Sequence, residues 1–162
     1  MLQLAIYQSP FGCFEIKGSE SGITSVQLLQ GAVSIETSVP QPLVEAVRQL
    51  DEYFHRKRKT FDLPLDLSAG TEFNQAVWRE LLKIPYGRTT SYSAIAKQLG
   101  NPGAVRAVGM ANRLNPLAIV VPCHRVIAKN GELQGYFYGL EMKRKLLELE
   151  NPLGFGEQGS LF

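Results

Sequence analysis

Cysteine and histidine are scarce. The 162 residues hold only Cys13, Cys123, His55 and His124, with no short Cys-x-x-Cys pair. That argues against a disulfide scaffold and leaves no ligand set for a structural zinc. Unpaired thiols suit a reducing compartment, which predicts a cytoplasmic protein. No apolar run reaches the roughly 18 residues a spanning helix needs, so no membrane partner is predicted. The start, Met1 to Tyr7, lacks the basic, apolar and small-residue order of a signal peptide. Neither charge sign dominates: 17 Lys and Arg face 15 Asp and Glu, for a net +2. The excess is uneven, with six basic against eight acidic residues in 1–70 and eleven against seven in 71–162. A basic C-terminal half is compatible with nucleic acid, and equally with a solvated surface.

What is present reads as one medium domain or two small ones. Residues 1–30 alternate apolar and polar in three pieces, Leu2/Leu4/Ile6, Phe14/Ile16 and Ile23 to Leu29, separated by Ser9-Pro-Phe-Gly12 and Gly18-Ser-Glu-Ser-Gly22. This predicts a small antiparallel sheet with Cys13 as a structural residue in its second strand. Pro42 opens a helix with Leu43, Val47, Leu50 and Phe54 on one face, and the basic run His55 to Lys59 ends it. Residues 60–70 read as a connection, which places a domain boundary there. Thr71 caps a second helix carrying Phe73, Val77, Trp78, Leu81 and Leu82 on one side, stopped by Pro85-Tyr-Gly87. Ser91 caps a short helix from Tyr92 to Leu99, Gly100-Asn-Pro102 closes it, and a further helix runs from about Gly103 to Leu114. Helix, glycine turn, helix is a helix-turn-helix pattern. Asn130-Gly131 between short apolar runs predicts a hairpin, a wing in that setting. The last helix covers Met142 to Glu150, and 151–162 form a tail.

Three stretches carry chemistry. In Val121-Pro-Cys-His-Arg-Val126 a short apolar run, Leu117 to Val121, reads as a buried strand or tight extended segment. Pro122 then forces a bend that can turn the Cys123 sulfur toward a cavity. Neighbouring positive charge lowers a thiol's pKa, and the thiolate is the nucleophile. Against this, most free cysteines are small buried hydrophobes, and adjacent side chains in an extended segment point apart. In the helix at 103–114, Gly103, Ala104, Ala107, Gly109 and Ala111 strip bulk away while Arg106 and Arg113 share a face. Small residues allow close approach to a partner, and arginine supplies phosphate contacts or a planar group for a base stack. Tight helix packing with solvated arginines explains the pattern equally well. Rings in Gly135-Tyr-Phe-Tyr-Gly139 suit either stacking on a flipped base or core filling.

Taken in order, Ile84-Pro-Tyr-Gly87, Thr90-Ser-Tyr92, Arg106-Ala-Val-Gly109, Asn115-Pro116, Val121-Pro-Cys-His-Arg-Val126, Gly135-Tyr136 and Leu146-Leu147 with Glu150 closely resemble the O6-alkylguanine-DNA alkyltransferases, the methylated-DNA–protein-cysteine methyltransferases. The resemblance covers about residues 71–150 and is looser over 1–70. It implies an α+β protein: residues 1–70 a small antiparallel sheet with a helix, ribonuclease H-like, in a supporting role; residues 71–162 a helix-turn-helix, winged-helix-like domain for DNA binding and alkyl transfer. It implies a DNA repair protein that moves an alkyl group, methyl above all, from O6-alkylguanine (and O4-alkylthymine) to its own cysteine, once per molecule. The implied mechanism needs neither metal nor cofactor. Cys123 would accept the alkyl group, His124 would act through a bound water, Glu150 would hold His124, Asn115 would brace the turn and Tyr136 would donate to the guanine. Tyr92 would press on the phosphate 3′ to the target and Arg106 would fill the gap in the stack. Ser91, Ala104, Ala107, Gly109 and Arg113 would complete the DNA-binding surface, and Val126, Gly135 and Tyr138 the substrate pocket. The partner would be double-stranded DNA, met in the minor groove with the base flipped, and the protein a monomer. Tyr138 is a point of variation, since a bulky ring at the pocket mouth would limit large adducts. Three other classes remain: a lesion-flagging relative (such relatives lack the cysteine), a cysteine hydrolase using Cys123 and His124, and a winged-helix regulator with a buried Cys123.

Overall fold

A computed structural model describes residues 1–31, 38–128 and 135–154. Its contacts divide the chain into two units: residues 1–69 with 116–120, and residues 70–115 with the chain from Val121 onward.

The first unit is built on an antiparallel meander of β1 (Gln3–Ser9), β2 (Gly12–Ser19) and β3 (Gly22–Leu28), in that order. Alternation fixes the register, with Tyr7 opposite Phe14 and Ile16 opposite Val26. In the first turn the Ser9 hydroxyl donates to Gly12 O at 2.6 Å and accepts from Phe11 N at 3.0 Å. A 3-10 turn over Gln41–Leu43, with Pro42 inside it, leads into α1 (Val44–Phe54). Helix α1 buries Ala46, Leu50, Tyr53 and Phe54 with Leu43 before it, while Val47 is only half-buried. The Phe54 ring meets Tyr7, Phe11, Phe14 and Tyr53 at centroid distances of 5.3–6.0 Å. The basic run begins at the cap, and Arg58 Nε donates to Glu52 Oε1 at 2.9 Å.

Segment 116–120 groups with this sheet because its main chain bonds to β3. Val26 N donates to Pro116 O at 2.9 Å and Ala118 N donates to Val26 O at 3.0 Å. Leu117 to Val121 is buried as expected, but it is not a strand. One parallel bridge, Val26 to Leu117, is followed by a turn in which Val120 N donates to Ala118 O at 2.8 Å across Ile119, whose φ is +74°. A three-residue turn with positive φ is strained for a β-branched side chain. The burial of Ile119 holds it in place.

The second unit packs α2 (Glu72–Leu81), α3 (Tyr92–Gln98), α4 (Val105–Arg113) and α5 (Leu140–Glu150) around Val77, Trp78, Leu81, Val108, Ala111 and Leu146. Thr71 caps α2, accepting from Asn74 N at 3.1 Å, and Ser91 caps α3, accepting from Ala94 N at 3.1 Å. Trp78 is core, its Nε1 donating to Ala111 O at 2.8 Å. Leu82, expected on the buried side of α2, lies past the helix end and is exposed. Helix α4 starts two residues later than expected because Ala104 N closes a turn onto Asn101 O at 3.0 Å. Two short strands, β4 (Thr90–Ser91) and β5 (Val126–Ile127), pair in parallel. The Asn130-Gly131 hairpin lies outside the described residues. Among those, no helix is long and apolar enough to cross a membrane.

Candidate active site

Pro122 sits at φ −80°, ψ 64°, and Cys123 N donates to Val121 O across it at 2.8 Å. This inverse γ-turn is the bend that the proline promised. It delivers Cys123 into a 3-10 turn, Cys123–Arg125, directly before β5. Pairing of β5 with β4 then sets this turn beside the start of α3, where Tyr92 lies.

The Cys123 sulfur is enclosed. Asn115 and Tyr136 hydrogen-bond it, and the Lys143 ammonium acts on it electrostatically. Asn115 also donates from Nδ2 to Val121 O at 2.8 Å, and Asn112 Nδ2 to Cys123 O at 3.3 Å, so two asparagines fix the turn from within. Burial pushes the Cys123 thiol up, and the Asn115, Lys143 and Tyr136 contacts pull the other way without cancelling it. Here the structure departs from the expectation of a thiol lowered by its neighbours, because enclosure from water outweighs them. Tyr136 is half-buried as a residue, but its hydroxyl end is enclosed, and burial first and Cys123 second hold it far above the ordinary phenol value. It therefore stays a donor.

His124 and Glu150 are buried together, with Nε2 of one 2.6 Å from Oε2 of the other. Arg125 closes the group, donating from Nε to Glu150 Oε1 at 2.8 Å, from Nη2 to Glu150 Oε2 at 3.1 Å and from Nη1 to Ile84 O at 2.6 Å. Burial opposes the Glu150 charge, but the His124 and Arg125 contacts outweigh it and hold the carboxyl well below the usual range. Burial lowers His124 despite the pull of Glu150. A neutral imidazole beside an ionised carboxylate carries its proton on Nε2, which leaves Nδ1 as the acceptor. Nδ1 is buried and has no hydrogen-bond partner among the described residues. Gly87 completes the cradle: its N donates to Glu150 Oε1 at 3.2 Å, its φ is +77°, and a Cβ there would come within 3.3 Å of Glu150 O. The Ile84-Pro-Tyr-Gly87 turn thus serves to seat the carboxylate.

Lys143, by sequence an ordinary basic residue of the last helix, is fully buried. Its Nζ donates to Val126 O at 2.5 Å and Gly135 O at 3.4 Å, and lies 6.0 Å from the centre of the Tyr92 ring. Burial lowers its pKa to about 8, opposed by the Cys123 charge. Arg125, within the Val121–Val126 motif, is likewise structural, tying Glu150 to Ile84 O. A sequence signal existed for Lys143: it shares a helical stripe with Leu146, Leu147 and Glu150, all buried.

Tyr92, Gly135 and, from α4, Arg106, Gly109, Met110 and Arg113 line an open cleft of about 370 Å³. Burial first, and Cys123 second, raise Tyr92 to about 12. A Cβ on Gly103 or Gly109 would meet nothing nearer than 3.8 Å, so packing within the fold does not demand glycine at either place. Ala107 is exposed and Ala104 half-buried. Of the residues expected at a partner surface, Ser91 stands apart: it is buried and its hydroxyl caps α3. Tyr138 touches Tyr136 edge-on at 5.7 Å and stacks on Phe137 at 5.1 Å. Among the described residues no group of three or more His, Cys, Asp or Glu could hold a metal.

The sequence matches two family models: "6-O-methylguanine DNA methyltransferase, ribonuclease-like domain" over residues 2–67 and "6-O-methylguanine DNA methyltransferase, DNA binding domain" over residues 72–152. The chain belongs to the 6-O-methylguanine DNA methyltransferase family. Within it, a methylated-DNA–protein-cysteine methyltransferase of Methanosarcina acetivorans is 49% identical over 90% of this chain and 96% of its own. One from Mycobacterium bovis is 47% identical over 93% of each chain. The crystal structure of Mycobacterium tuberculosis O6-methylguanine methyltransferase superposes with a TM-score of 0.83 at 45% identity, covering 95% of both chains. A structure of the M. tuberculosis protein in complex with DNA superposes at 0.82 and 44% identity, over 98% of this chain and 95% of that one. The ribonuclease-like domain of the family corresponds to the sheet and α1, and its DNA-binding domain to the helices around Cys123.

Proposed function

We propose that this protein repairs alkylated DNA by taking the alkyl group of O6-alkylguanine, and of O4-alkylthymine, onto Cys123. One observation carries the reading: the Cys123 sulfur lies enclosed by Asn115, Tyr136 and Lys143, next in sequence to a buried His124–Glu150 pair. A plain regulator has no use for a buried ionised carboxylate holding an imidazole beside a cysteine. A hydrolase would need a second step to free the thiol.

The target atom is inaccessible inside a duplex, so the lesion must leave the stack. Helix α4 enters the minor groove, its small residues allowing close approach. Arg106 fills the gap, Arg113 meets phosphate, and Tyr92 presses on the phosphate 3′ to the lesion. The base enters a pocket formed by Val126, Gly135, Tyr136 and Tyr138. The Cys123 proton passes through a bridging water to His124 Nδ1, because adjacent side chains do not meet directly. Glu150 stabilises the imidazolium that results. The sulfur attacks the alkyl carbon in line, the S–C bond forming as the C–O bond breaks. Guanine leaves with a proton from Tyr136 or a neighbour, and the proton taken up by His124 makes that donor good, so that thiol and alkylguanine become thioether and guanine. The product is a thioether that water does not cleave, so each monomer acts once, without metal or cofactor. Residues 1–70 support this site, and the two unpaired thiols fit a cytoplasmic setting.

The test is an intact-mass measurement after incubation with duplex DNA bearing one O6-methylguanine. One methyl in place of one hydrogen, on the Cys123 peptide and one per protein, is expected. An unmodified protein, or repair continuing past one event per molecule, overturns the reading.

A further inference from the structure

Helix α4 presents a stripe in which one residue is out of character. Its exposed positions are Val105, Arg106, Ala107, Met110 and Arg113. Two of its uncharged members are apolar beyond alanine: Val105, short and branched at the helix start and 38% exposed, and Met110, longer and unbranched, 57% exposed at the centre of the stripe. Arg106 lies one turn before it and Arg113 just under one turn after, so all three side chains leave the same face. All three line the cleft that Tyr92 and Gly135 also line.

An unbranched apolar side chain held out in water between two cations gains nothing for the fold. Burying it elsewhere would be worth about 1.5–3 kcal/mol. Met110 has another use if α4 lies in a minor groove. Small neighbours bring the helix backbone close to the base edges, and the longest apolar group on that face reaches the groove floor first. Apolar wedges of this type part base steps and kink the duplex, and methionine is the most adaptable of them. Arginine at the neighbouring position can occupy a vacated place in the stack, but a guanidinium does not open a step by apolar insertion.

Resting on the DNA reading above, we propose that Met110 is a wedge that unstacks the lesion step and so drives the base into the Cys123 pocket, Arg106 then holding the gap. Met110 is a positioning residue: it acts on the flanking base pairs and never meets the alkyl group.

The test uses the full chain and two substrates, a duplex with a single O6-methylguanine and free O6-methylguanine, which has no stack to leave. Single-turnover alkylation of Cys123 is followed at saturating duplex, with duplex affinity measured separately. Met110→Ala is expected to slow transfer from saturating duplex about tenfold, in keeping with a partial loss of unstacking energy. Duplex affinity should fall less than about threefold, and the reaction with the free base should not change. Met110→Leu should keep most of the duplex rate, and Met110→Gln, similar in length but polar, should not. An unchanged saturating rate in Met110→Ala overturns the wedge, whether or not affinity drops. So does an equal loss on the free base, which would mean a disturbed pocket. Wild-type protein that reacts with neither substrate overturns the alkyl-transfer reading itself, and the wedge with it.

Discussion

His124 Nε2 lies 2.6 Å from Glu150 Oε2, both side chains wholly shielded from water. The carboxylate also holds Arg125, so three ionisable groups share one buried node. Removing one member leaves the others uncompensated. Glu150→Gln is expected to destabilise the protein by about 3–5 kcal/mol, because Arg125 becomes a buried cation without its partner. Pairing it with Arg125→Met should recover part of that loss. Urea unfolding of the two variants checks this, and a double variant no more stable than the single one refutes the shared-node account. Transfer should stay slow in both, since neither has a carboxylate to orient the imidazole.

The same node sets an acid limit. Burial depresses His124, so below its unfolded value of about 6.5 the unfolded chain binds a proton that the fold refuses. Stability is full above that pH and declines as pH falls through it. Glu150 is depressed too, its His124 and Arg125 contacts overcoming burial. Its contribution is present above the unfolded value near 4.3 and drains away below it. Urea midpoints from pH 8 to 4 should hold level, begin to fall near pH 6.5, and steepen near 4.3. A level profile down to pH 5 would show that His124 charges freely in the fold.

Lys143 ties Val126 O to Gly135 O and stands close enough to oppose the rise of the Cys123 thiol. In Lys143→Met, which keeps the length and loses the charge, the thiol should rise further. Labelling of Cys123 by a small alkylating reagent at pH 7.5 is expected to slow by about tenfold, one pKa unit being the size of a single near charge. The pH–rate profile should move to higher pH as a whole. A lower rate at every pH with no shift would mean that Lys143 only shapes the pocket.

Much of this was readable from the chain, and what was not has physical causes. Alternation and turn residues gave the sheet, and capping by Thr71 and Ser91 gave two helix starts, because those signals act within a few residues. The Pro122 bend was local as well. The turn at Ile119 was not legible: a β-branched residue at positive φ contradicts its own propensity and is held by surrounding packing. The sign of the Cys123 shift was missed because sequence shows neighbouring charge and not depth. The family motif brought Cys123, His124, Glu150, Tyr136 and Asn115 to attention, whereas Lys143 and Arg125 passed as ordinary basic residues. Their roles emerge only when a carbonyl or carboxylate distant in the chain is seen at hydrogen-bond distance.

Tyr138 lends itself to a test of substrate size. Its ring stacks on Phe137 with planes 12° apart and meets Tyr136 edge-on at 69°. Tyr136 in turn hydrogen-bonds the Cys123 sulfur, so the Tyr138 ring is one residue removed from the reacting centre. A methyl adduct needs little space beyond the guanine, but a benzyl adduct needs room for a ring where these aromatics stand. Tyr138→Gly should raise the rate on O6-benzylguanine in DNA relative to O6-methylguanine by about five- to tenfold, the equivalent of about 1–1.4 kcal/mol of relieved crowding. The methyl rate itself should change little, or fall slightly as Tyr136 loses its neighbour. Competition between the two lesions in one duplex pool, read as the mass of the modified Cys123 peptide, gives the ratio directly. An unaltered ratio would place the limit on adduct size elsewhere in the pocket.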